Sequence, residues 1–477
     1  MESINQVLGS VSNFMYTYIL IIMLVAAGLW FTLRTRFVQF RLFPEALRVL
    51  TEKKRDGKDI SSFQALMIST ASRVGTGNIA GVATAIAAST AIGGYGAIFW
   101  MWLLALIGAA SAFIESTLAQ LYKQKNGTDF VGGPAYYIQK ALGSRKLGVL
   151  FSVLLIACFA YGFNALQSFN AGSSLKYYIP EYDSSFWPYL VGGILALLTA
   201  LTIFGGVHRI SGLVSAVVPV MAFIYIGLGL YITFSNLSDV PAMFAMIFEQ
   251  AFNTQAIFGG FAGSCVMQGI KRGLYSNEAG MGSAPNAAAA ADVSHPVKQG
   301  LVQMLSVFID TILICTTTAF MLLLSGVPID ESVQGMDYVQ AAVFQQVGEF
   351  GPLFITISIF LFAFSSLVGN YYYTETNFKF IRDSRIGLLV FRCSCVAAIF
   401  IGALLDFSTV WTLADILMGL MAMVNLVVIL LLGNKALAAL KDYTSQRRKG
   451  ENPVFRAKDT GIGDPEVWNE EHARKWS

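Results

Sequence analysis

Long apolar runs separated by short polar connections make up most of this 477-residue chain. Eleven of the runs are long enough to cross about 30 Å of hydrocarbon as α-helices. They lie near residues 14–33, 63–91, 95–121, 148–175, 186–204, 212–234, 250–270, 300–325, 352–373, 387–405 and 410–433. The pattern therefore predicts an all-α polytopic membrane protein with eleven transmembrane helices, numbered span 1 to span 11 in chain order.

The composition agrees with a chain that lies in a lipid bilayer over most of its length. Hydrophobic residues make up 55% of the sequence and charged residues 13%, whereas a soluble domain has about 25% charged residues. The N-terminal stretch MESINQVLGSVSN has no basic region, so we expect span 1 to be a retained helix and not a signal peptide. The five cysteines lie in apolar runs and the three histidines in loops or the tail, so we expect neither a disulfide framework nor a metal-binding histidine cluster.

Basic residues occur in every second connection, and this sets the predicted orientation. Lysine, arginine or both follow spans 1, 3, 5, 7, 9 and 11, and we assign Lys271 and Arg272 to the connection after span 7. The alternate connections are acidic or lack charge, as in EYDSS at 181–185. Because positively charged connections stay in the cytoplasm, the pattern predicts an outside N-terminus and a cytoplasmic C-terminus in the cell membrane.

Two spans contain clusters of glycine and polar residues that weaken a helix. Span 2 holds VGTGNIAG at 74–81 and span 7 holds FGGFAGS at 258–264, and each interior glycine costs about 1 kcal/mol relative to alanine. The two spans are five helices apart, so they cross the membrane in opposite directions. We therefore predict two inverted five-helix repeats whose first helices are unwound, as in secondary transporters. The predicted units are an accessory span with its basic connection at 1–62, the repeats at 63–235 and 236–435, and a cytoplasmic tail at 436–477.

Unwound backbone inside a membrane must face a cavity or a ligand, because lipid cannot satisfy its hydrogen-bonding groups. Freed N–H groups attract a carboxylate, and freed carbonyls suit an ammonium group or a sodium ion. An amino acid together with Na⁺ fits such a site without charged side chains. Close helix packing through Gly77 and Gly81 is the alternative explanation for the first break. A membrane enzyme or a channel is the alternative from another class, but we find no clustered nucleophile, base or metal set, and a channel needs no paired breaks.

Several motifs are similar to those of the alanine or glycine:cation symporter family. They are SRVGTGNIAGVATAI (72–86), GGPAYYI (132–138), KRGLYSNEAGMGSAP (271–285), VFIDTILICTTTAF (307–320), FAFSSLVGNYYYTE (362–375) and ADILMGLMAMVNL (414–426). The resemblance covers nearly the whole chain, from span 1 to span 11. It implies the inverted-repeat fold of the bacterial leucine transporter, with one extra N-terminal helix.

The resemblance also implies where sodium and substrate bind. Sodium would lie against the carbonyls of Ala71 and Val74 and the hydroxyls of Ser365 and Ser366. The substrate carboxylate would take the freed N–H groups of the first break, and the ammonium group would take carbonyls of the second. The substrate-binding residues would be Gly75, Thr76, Gly77, Asn78, Asn164, Gln167, Gly260, Phe261, Gly263, Ser264 and Asn370.

Acidic residues in or near the spans are further candidates, because an intramembrane acid is functional by default. We expect Glu115 and Glu375 to be solvated near helix ends, and Asp310 to be either a hydrogen-bond anchor or part of an ion path. We interpret SNEAGMGSAPNAAAAA (276–291) as a cytoplasmic alanine-rich helix in which Glu278 caps the helix or pairs with Arg272. We expect the tail after about residue 440 to be a flexible extension.

Together these observations predict a symporter that couples inward Na⁺ movement to uptake of a small neutral amino acid, alanine or glycine, by alternating access. The family commonly has tryptophan where this chain has Asn370, and that difference keeps a Na⁺- or H⁺-coupled glutamine or asparagine symporter as an alternative. The expected partners are the amino acid, the sodium ion as coupling ion, and the lipid bilayer. We expect no cofactor and no nucleic acid.

Overall fold

Helices form nearly all of the regular structure. The computed structural model describes residues 2–52, 60–89, 94–127, 129–253, 264–328, 335–463 and 465–476. Within these ranges the α-helices are α1 (Glu2–Met15), α2 (Ile21–Arg34), α3 (Val38–Arg41), α4 (Phe43–Leu50), α5 (Ser62–Arg73), α6 (Ala80–Ala88), α7 (Gly96–Leu121), α8 (Pro134–Leu142), α9 (Arg145–Ile156), α10 (Asn164–Ser173), α11 (Trp187–Ile203), α12 (Gly206–Ser235), α13 (Val240–Ala251), α14 (Cys265–Asn277), α15 (Pro285–Ala290), α16 (Pro296–Val307), α17 (Thr316–Leu323), α18 (Met336–Val347), α19 (Phe350–Ile381), α20 (Arg385–Gly402), α21 (Phe407–Arg448) and α22 (Glu470–Trp476). The strands β1 (Gln124–Asn126) and β2 (Asp129–Val131) pair as an antiparallel hairpin.

Among the described residues, three apolar helical runs contain a π-helical turn. These turns are Tyr16–Leu20, Ala157–Phe163 and Phe308–Cys315, and they join α1 to α2, α9 to α10 and α16 to α17. A π turn widens the helix locally and occurs often at functional sites. The third of these turns carries Asp310, one of the acidic candidates.

Eight helical runs among the described residues are long and apolar enough to cross a membrane. They are Gln6–Arg34, Gly96–Leu121, Arg145–Ser173, His208–Ser235, Pro296–Leu323, Phe350–Ile381, Arg385–Gly402 and Phe407–Arg448. Span 5 corresponds to the shorter apolar helix α11, span 2 is divided into α5 and α6, and residues 254–263 of span 7 lie outside the described residues. The multi-pass helical architecture therefore agrees with the prediction, whereas the count of eleven and the two inverted repeats remain predictions.

Span 2 is interrupted at the predicted glycine cluster. Helix α5 ends at Arg73, and the backbone leaves the helical region at Val74 and is extended at Gly75. A single 3₁₀ turn, Thr76–Asn78, precedes the start of α6 at Ala80. The two half-helices therefore meet at a short stretch of buried, non-helical backbone.

An interruption that the sequence did not predict lies beyond the second predicted break. Most of FGGFAGS falls in residues 254–263, which are outside the described residues, so Gly260, Phe261 and Gly263 have no described position. The described break follows α14, where Glu278, Gly280 and Gly282 all have positive φ values, and it ends at α15. The stretch 276–291 is thus a buried interruption with a short helix, and not one cytoplasmic helix.

The two interrupted segments lie against each other. The Ser72 hydroxyl donates to Glu278 Oε1 at 3.0 Å, and Asn78 Nδ2 donates to the hydroxyl of Ser276 at 3.0 Å. From the first contact to the second, the residue number rises from 72 to 78 in one segment and falls from 278 to 276 in the other. The two segments therefore run antiparallel. Paired first helices of inverted repeats would have this relationship.

Two basic residues assigned to a connection are instead buried within α14. Arg272 binds both carboxylate oxygens of Asp415 on α21, at 2.8 and 3.1 Å, and Lys271 Nζ lies 3.6 Å from the same carboxylate. Arg272 therefore does not pair with Glu278. Because buried, paired charges carry no information on loop position, this part of the charge pattern does not bear on orientation.

The tail packs against the helical body and is not a flexible extension. The Trp468 indole donates to the Gln120 carbonyl at the end of α7 (2.7 Å). The Phe455 N–H donates to the Ser294 carbonyl at 2.9 Å. His472 lies 3.2 Å from Asp292, and burial lowers the pKa of His472. Aromatic side chains therefore attach the tail to α7 and to the connection between α15 and α16.

Candidate functional site

Three of the four predicted sodium ligands meet at the end of α5. The Ser366 hydroxyl on α19 lies 2.9 Å from the Ala71 carbonyl and 3.4 Å from the Val74 carbonyl. Gly369 allows this approach, because a Cβ there would lie 2.7 Å from the backbone nitrogen of Ser72. The break thus presents two carbonyls and a hydroxyl to one point, which is an oxygen set suited to a small hard cation.

Ser365, the fourth predicted ligand, has a different partner. Its hydroxyl donates to the Phe362 carbonyl at 3.0 Å, one turn earlier on α19. The side chain is buried and also lies 3.9 Å from the Met221 sulfur. The structure therefore brings Ser366, and not the Ser365 hydroxyl, to the two carbonyls of the break.

Amide side chains satisfy the freed N–H groups on the other side of the break. Thr76 N–H donates to Gln167 Oε1 at 2.9 Å, and Gly75 N–H donates to Asn78 Oδ1 at 3.0 Å. Asn170, which the sequence argument missed, donates to the Thr76 hydroxyl at 3.1 Å. The signal for Asn170 was available, since it lies one turn beyond Gln167 on α10. The Gln167 amide oxygen thus accepts the hydrogen bond of the Thr76 N–H group, which is a donor predicted for a substrate carboxylate.

Aromatic rings cover this face of the break. The Tyr275 ring lies 4.7 Å from Phe163 and 5.4 Å from Trp411, measured between ring centroids. The Gln167 amide donates to the Tyr275 hydroxyl at 3.2 Å. Only glycine fits at position 77, because a Cβ would lie 2.5 Å from the Tyr275 ring.

A second polar chain connects the remaining predicted residues. Asn370 donates to Asn164 Oδ1 at 3.0 Å, and its Oδ1 lies 2.6 Å from the Ser72 hydroxyl oxygen, whose single proton is shared between Asn370 and Glu278. The same Ser72 hydroxyl is within 3.0 Å of Glu278. Asn164 Nδ2 is buried and has no hydrogen-bond partner among the described residues, so this chain of amides ends in a donor without an acceptor there. Ser264, in contrast, caps α14 by accepting from Met267 N–H at 3.2 Å.

Arg73 and Glu278 form a buried pair that the sequence argument did not connect. Arg73 Nε lies 4.0 Å from Glu278 Oε2, and Arg73 Nη1 donates to the Gln303 carbonyl at 3.3 Å. Its Nε and Nη2 have no hydrogen-bond partner within the part of the chain that the structure describes. Glu278 also accepts from the Ser283 hydroxyl at 2.6 Å. This pair couples the end of α5 to the second interruption.

Glu115 is buried and not solvated near a helix end, which corrects the sequence-based expectation. Its carboxylate accepts from the N–H groups of Gly280 and Gly282, at 3.3 and 3.1 Å. Asn425 on α21 donates to it at 2.7 Å. Because the second interruption frees backbone N–H groups, a buried carboxylate on α7 is needed to satisfy them. Glu375 is partly buried and pairs with Lys379 and Arg392.

Asp310 is an internal carboxylate next to the first break. Asn78 Nδ2 donates to its Oδ1 at 2.6 Å, and the Thr311 hydroxyl donates to its Oδ2 at 2.9 Å. The Ser276 hydroxyl donates to the same oxygen. Asn78 therefore connects the break to Asp310 directly.

Interrupted antiparallel helices that share a buried set of carbonyls, hydroxyls and amides define a membrane transporter. The chain matches the model of the sodium:alanine symporter family over residues 1–457, and it belongs to that family. Its relatives carry solutes across membranes and are not enzymes.

Three curated relatives align with the chain almost end to end. The amino-acid carrier protein AlsT of Bacillus subtilis is 48% identical and 99% of each chain is covered. The probable sodium/glutamine symporter GlnT of the same organism is 44% identical, with 95% of this chain and 94% of the relative covered. The sodium/alanine symporter AgcS of Methanococcus maripaludis is 38% identical, with 92% and 97% covered.

The fold is also similar to a solved transporter of distant sequence. The crystal structure of a manganese transporter mutant from Eremococcus coleocola aligns with a TM-score of 0.50 at 15% identity, and the alignment covers 84% of each chain. At this identity the similarity concerns the fold alone.

Proposed function

We propose that this chain takes up a small neutral amino acid, alanine or glycine, together with Na⁺ by alternating access. The observation that carries the proposal is the convergence of Ser366 with the Ala71 and Val74 carbonyls at the first break. Sodium in this position would replace the hydrogen bond that Ser366 donates. Membership of the sodium:alanine symporter family supports Na⁺ as the coupling ion.

The substrate carboxylate would bind at the Thr76 N–H group by displacing the Gln167 amide oxygen. A carboxylate is the better acceptor there, because the N-terminus of a half-helix favours negative charge. The neighbouring N–H groups of Gly75 and Gly77 would line the same site, and Asn78 would lie beside it. The ammonium group would face carbonyls near Ser264, as the sequence predicts.

Transport by this scheme needs the two five-helix units, 63–235 and 236–435, to move against each other around the breaks. Moving one net positive charge inward supplies about 2.3 kcal/mol per 100 mV. This energy would sustain roughly 50-fold accumulation of a neutral substrate, at about 1.4 kcal/mol per factor of ten. We place the protein in the cell membrane with an outside N-terminus and a cytoplasmic C-terminus, as the charge pattern indicates.

Glutamine or asparagine is the second candidate substrate, and one feature of the site favours it. Asn370 is completely buried and is hydrogen-bonded to Asn164, whose Nδ2 has no partner among the residues that the structure describes. An unsatisfied buried donor is costly, and a substrate side-chain carbonyl would remove the penalty. The relative named a probable sodium/glutamine symporter supports this alternative.

Uptake into proteoliposomes tests the proposal. Labelled alanine should enter with saturation kinetics, and an inward Na⁺ gradient should accelerate entry. Competition by unlabelled glycine, glutamine and asparagine then ranks the substrates. An alanine uptake rate that does not change with the Na⁺ gradient, or that rises linearly with the alanine concentration, would contradict the proposal. Stimulation of uptake by a proton gradient alone would favour H⁺ coupling.

A further inference from the structure

The turn that follows the apolar run of span 1 exposes aromatic rings beside arginines. The short helix α3 begins just after this run ends. Its residues Val38 and Gln39 are buried, whereas Phe37 and Phe40 are 49% and 53% exposed. The turn therefore has one face against the protein and one apolar face outside it, at the level where the chain leaves the span.

The backbone of this turn has a conformation that its exposed side chains do not explain. Arg36 and Phe37 both have positive φ values, 55° and 56°, and a bulky residue rarely adopts this left-handed conformation. Such strain persists only where other contacts compensate for it. Because about half of Phe37 is exposed, part of that compensation lies outside the chain. The acyl chain of a lipid is the apolar contact available at the end of a membrane span.

Three arginines also gather at this turn. Burial lowers the pKa of Arg41, and the positive charges of Arg36 and Arg448 lower it further. Arg448 belongs to the last turn of α21, so two segments that are distant in sequence bring like charges together. Like charges at short range repel one another unless an anion lies between them.

The described residues do not supply that anion. The Arg41 guanidinium donates to a neutral group, the Thr35 carbonyl, at 3.1 Å. Glu45, the acid nearest to Arg41 along the chain, is already held by Arg48 and Arg447 at 2.9 and 3.0 Å. None of the three arginines forms an ion pair with an acid in the part of the chain that the structure describes.

An anion that carries apolar chains would satisfy both the arginines and the exposed rings. Guanidinium groups bind phosphate through paired hydrogen bonds, and basic clusters next to a membrane span attract anionic headgroups. We propose that Arg36, Arg41 and Arg448 bind the phosphate of an anionic phospholipid. Its acyl chains would cover the rings of Phe37 and Phe40. The site is separate from the two interruptions, so the proposal does not depend on Na⁺ coupling.

Lipid binding by the full-length protein in a neutral detergent tests the proposal. Native mass spectrometry measures the dissociation constant of the first bound lipid. Dioleoyl-phosphatidylglycerol is the anionic probe and dioleoyl-phosphatidylcholine the zwitterionic one. The double variant Arg36→Gln with Arg41→Gln should bind phosphatidylglycerol about 30-fold more weakly, which corresponds to about 2 kcal/mol for two arginines. Its affinity for phosphatidylcholine should not change.

The matched control is Arg382→Gln with Arg385→Gln, which removes two exposed arginines from the connection after span 9. It should change the phosphatidylglycerol affinity less than threefold. Phe37→Gly relieves the left-handed strain and removes the ring, so it should stay folded in size-exclusion chromatography but bind both lipids more weakly. Equal affinities of the wild-type protein for the two lipids would overturn the proposal, and so would equal losses in the two arginine pairs. Displacement of phosphatidylglycerol by millimolar glycerol 3-phosphate would refute a lipid as the occupant, because a soluble anion would then suffice.

Discussion

Removing the Ser366 hydroxyl tests the sodium site most directly. In Ser366→Ala the break keeps both carbonyls, but the cation loses the hydroxyl that lies 2.9 Å from the Ala71 carbonyl. A polar contact to a charged group contributes about 1.5–3 kcal/mol. We therefore expect the Na⁺ concentration for half-maximal alanine uptake to rise about 10- to 150-fold, at about 1.4 kcal/mol per factor of ten.

The neighbouring serine provides the matched control. Ser365→Ala removes an equally buried hydroxyl from the same helix, but one that donates to the Phe362 carbonyl. We expect a much smaller change in Na⁺ dependence. Uptake of labelled alanine at graded Na⁺ concentrations measures both variants, with the amount of folded protein checked by size-exclusion chromatography. An unchanged half-saturating Na⁺ concentration in Ser366→Ala would refute the assignment.

Three further predictions follow from contacts described above. Gly77→Ala should abolish uptake, because the added Cβ would lie 2.5 Å from an aromatic ring. Gly81→Ala should transport normally, because its Cβ would lie 3.5 Å from the nearest atom. Equal loss of uptake in both variants would favour simple helix packing as the role of these glycines. Gln167→Glu should raise the alanine KM more than tenfold, since a fixed carboxylate would hold the Thr76 N–H group, and an unchanged KM would remove Gln167 from the substrate site. The His295 ring lies 5.2 Å from the Phe455 ring of the tail, and burial lowers the pKa of His295 from 6.5 to about 4. Tail docking should therefore weaken as pH falls below 6.5, by about 2 kcal/mol at pH 5. Limited proteolysis at pH 7 and 5 measures the loss, and His295→Asn should show none.

The interruption of span 2 could be predicted because the residues that cause it are adjacent in the sequence. Clustered glycines lower the cost of leaving the helix, and the structure has Gly75 in an extended conformation at that point. The approach of Ser366 to Ala71 joins residues that are 295 positions apart, and it was predicted only through the resemblance to a family. No periodicity in the chain indicates which face of α19 meets α5.

The buried connection after α14 was not predicted, because its own residues are polar and the residues that hydrogen-bond it are distant in the sequence. FGGFAGS is glycine-rich within an apolar run, whereas the stretch from Ser276 to Pro285 is polar and resembles a connection. What allows polar backbone there is Glu115, more than 160 positions earlier, together with Asn425. A pattern read from one sequence does not show which distant residues hydrogen-bond a segment, so this buried polar segment was predicted to be a cytoplasmic helix.

The contacts of the tail with α7 constrain the order in which parts of the fold can be completed during synthesis. Trp468 closes onto the Gln120 carbonyl and onto Lys123, whose ammonium group lies 4.9 Å from the indole ring. These contacts join a tail segment to a helix residue that lies 348 positions earlier in the chain. This end of α7 therefore lacks its tail contacts until the ribosome has synthesised Trp468, so these contacts can form only long after α7 itself.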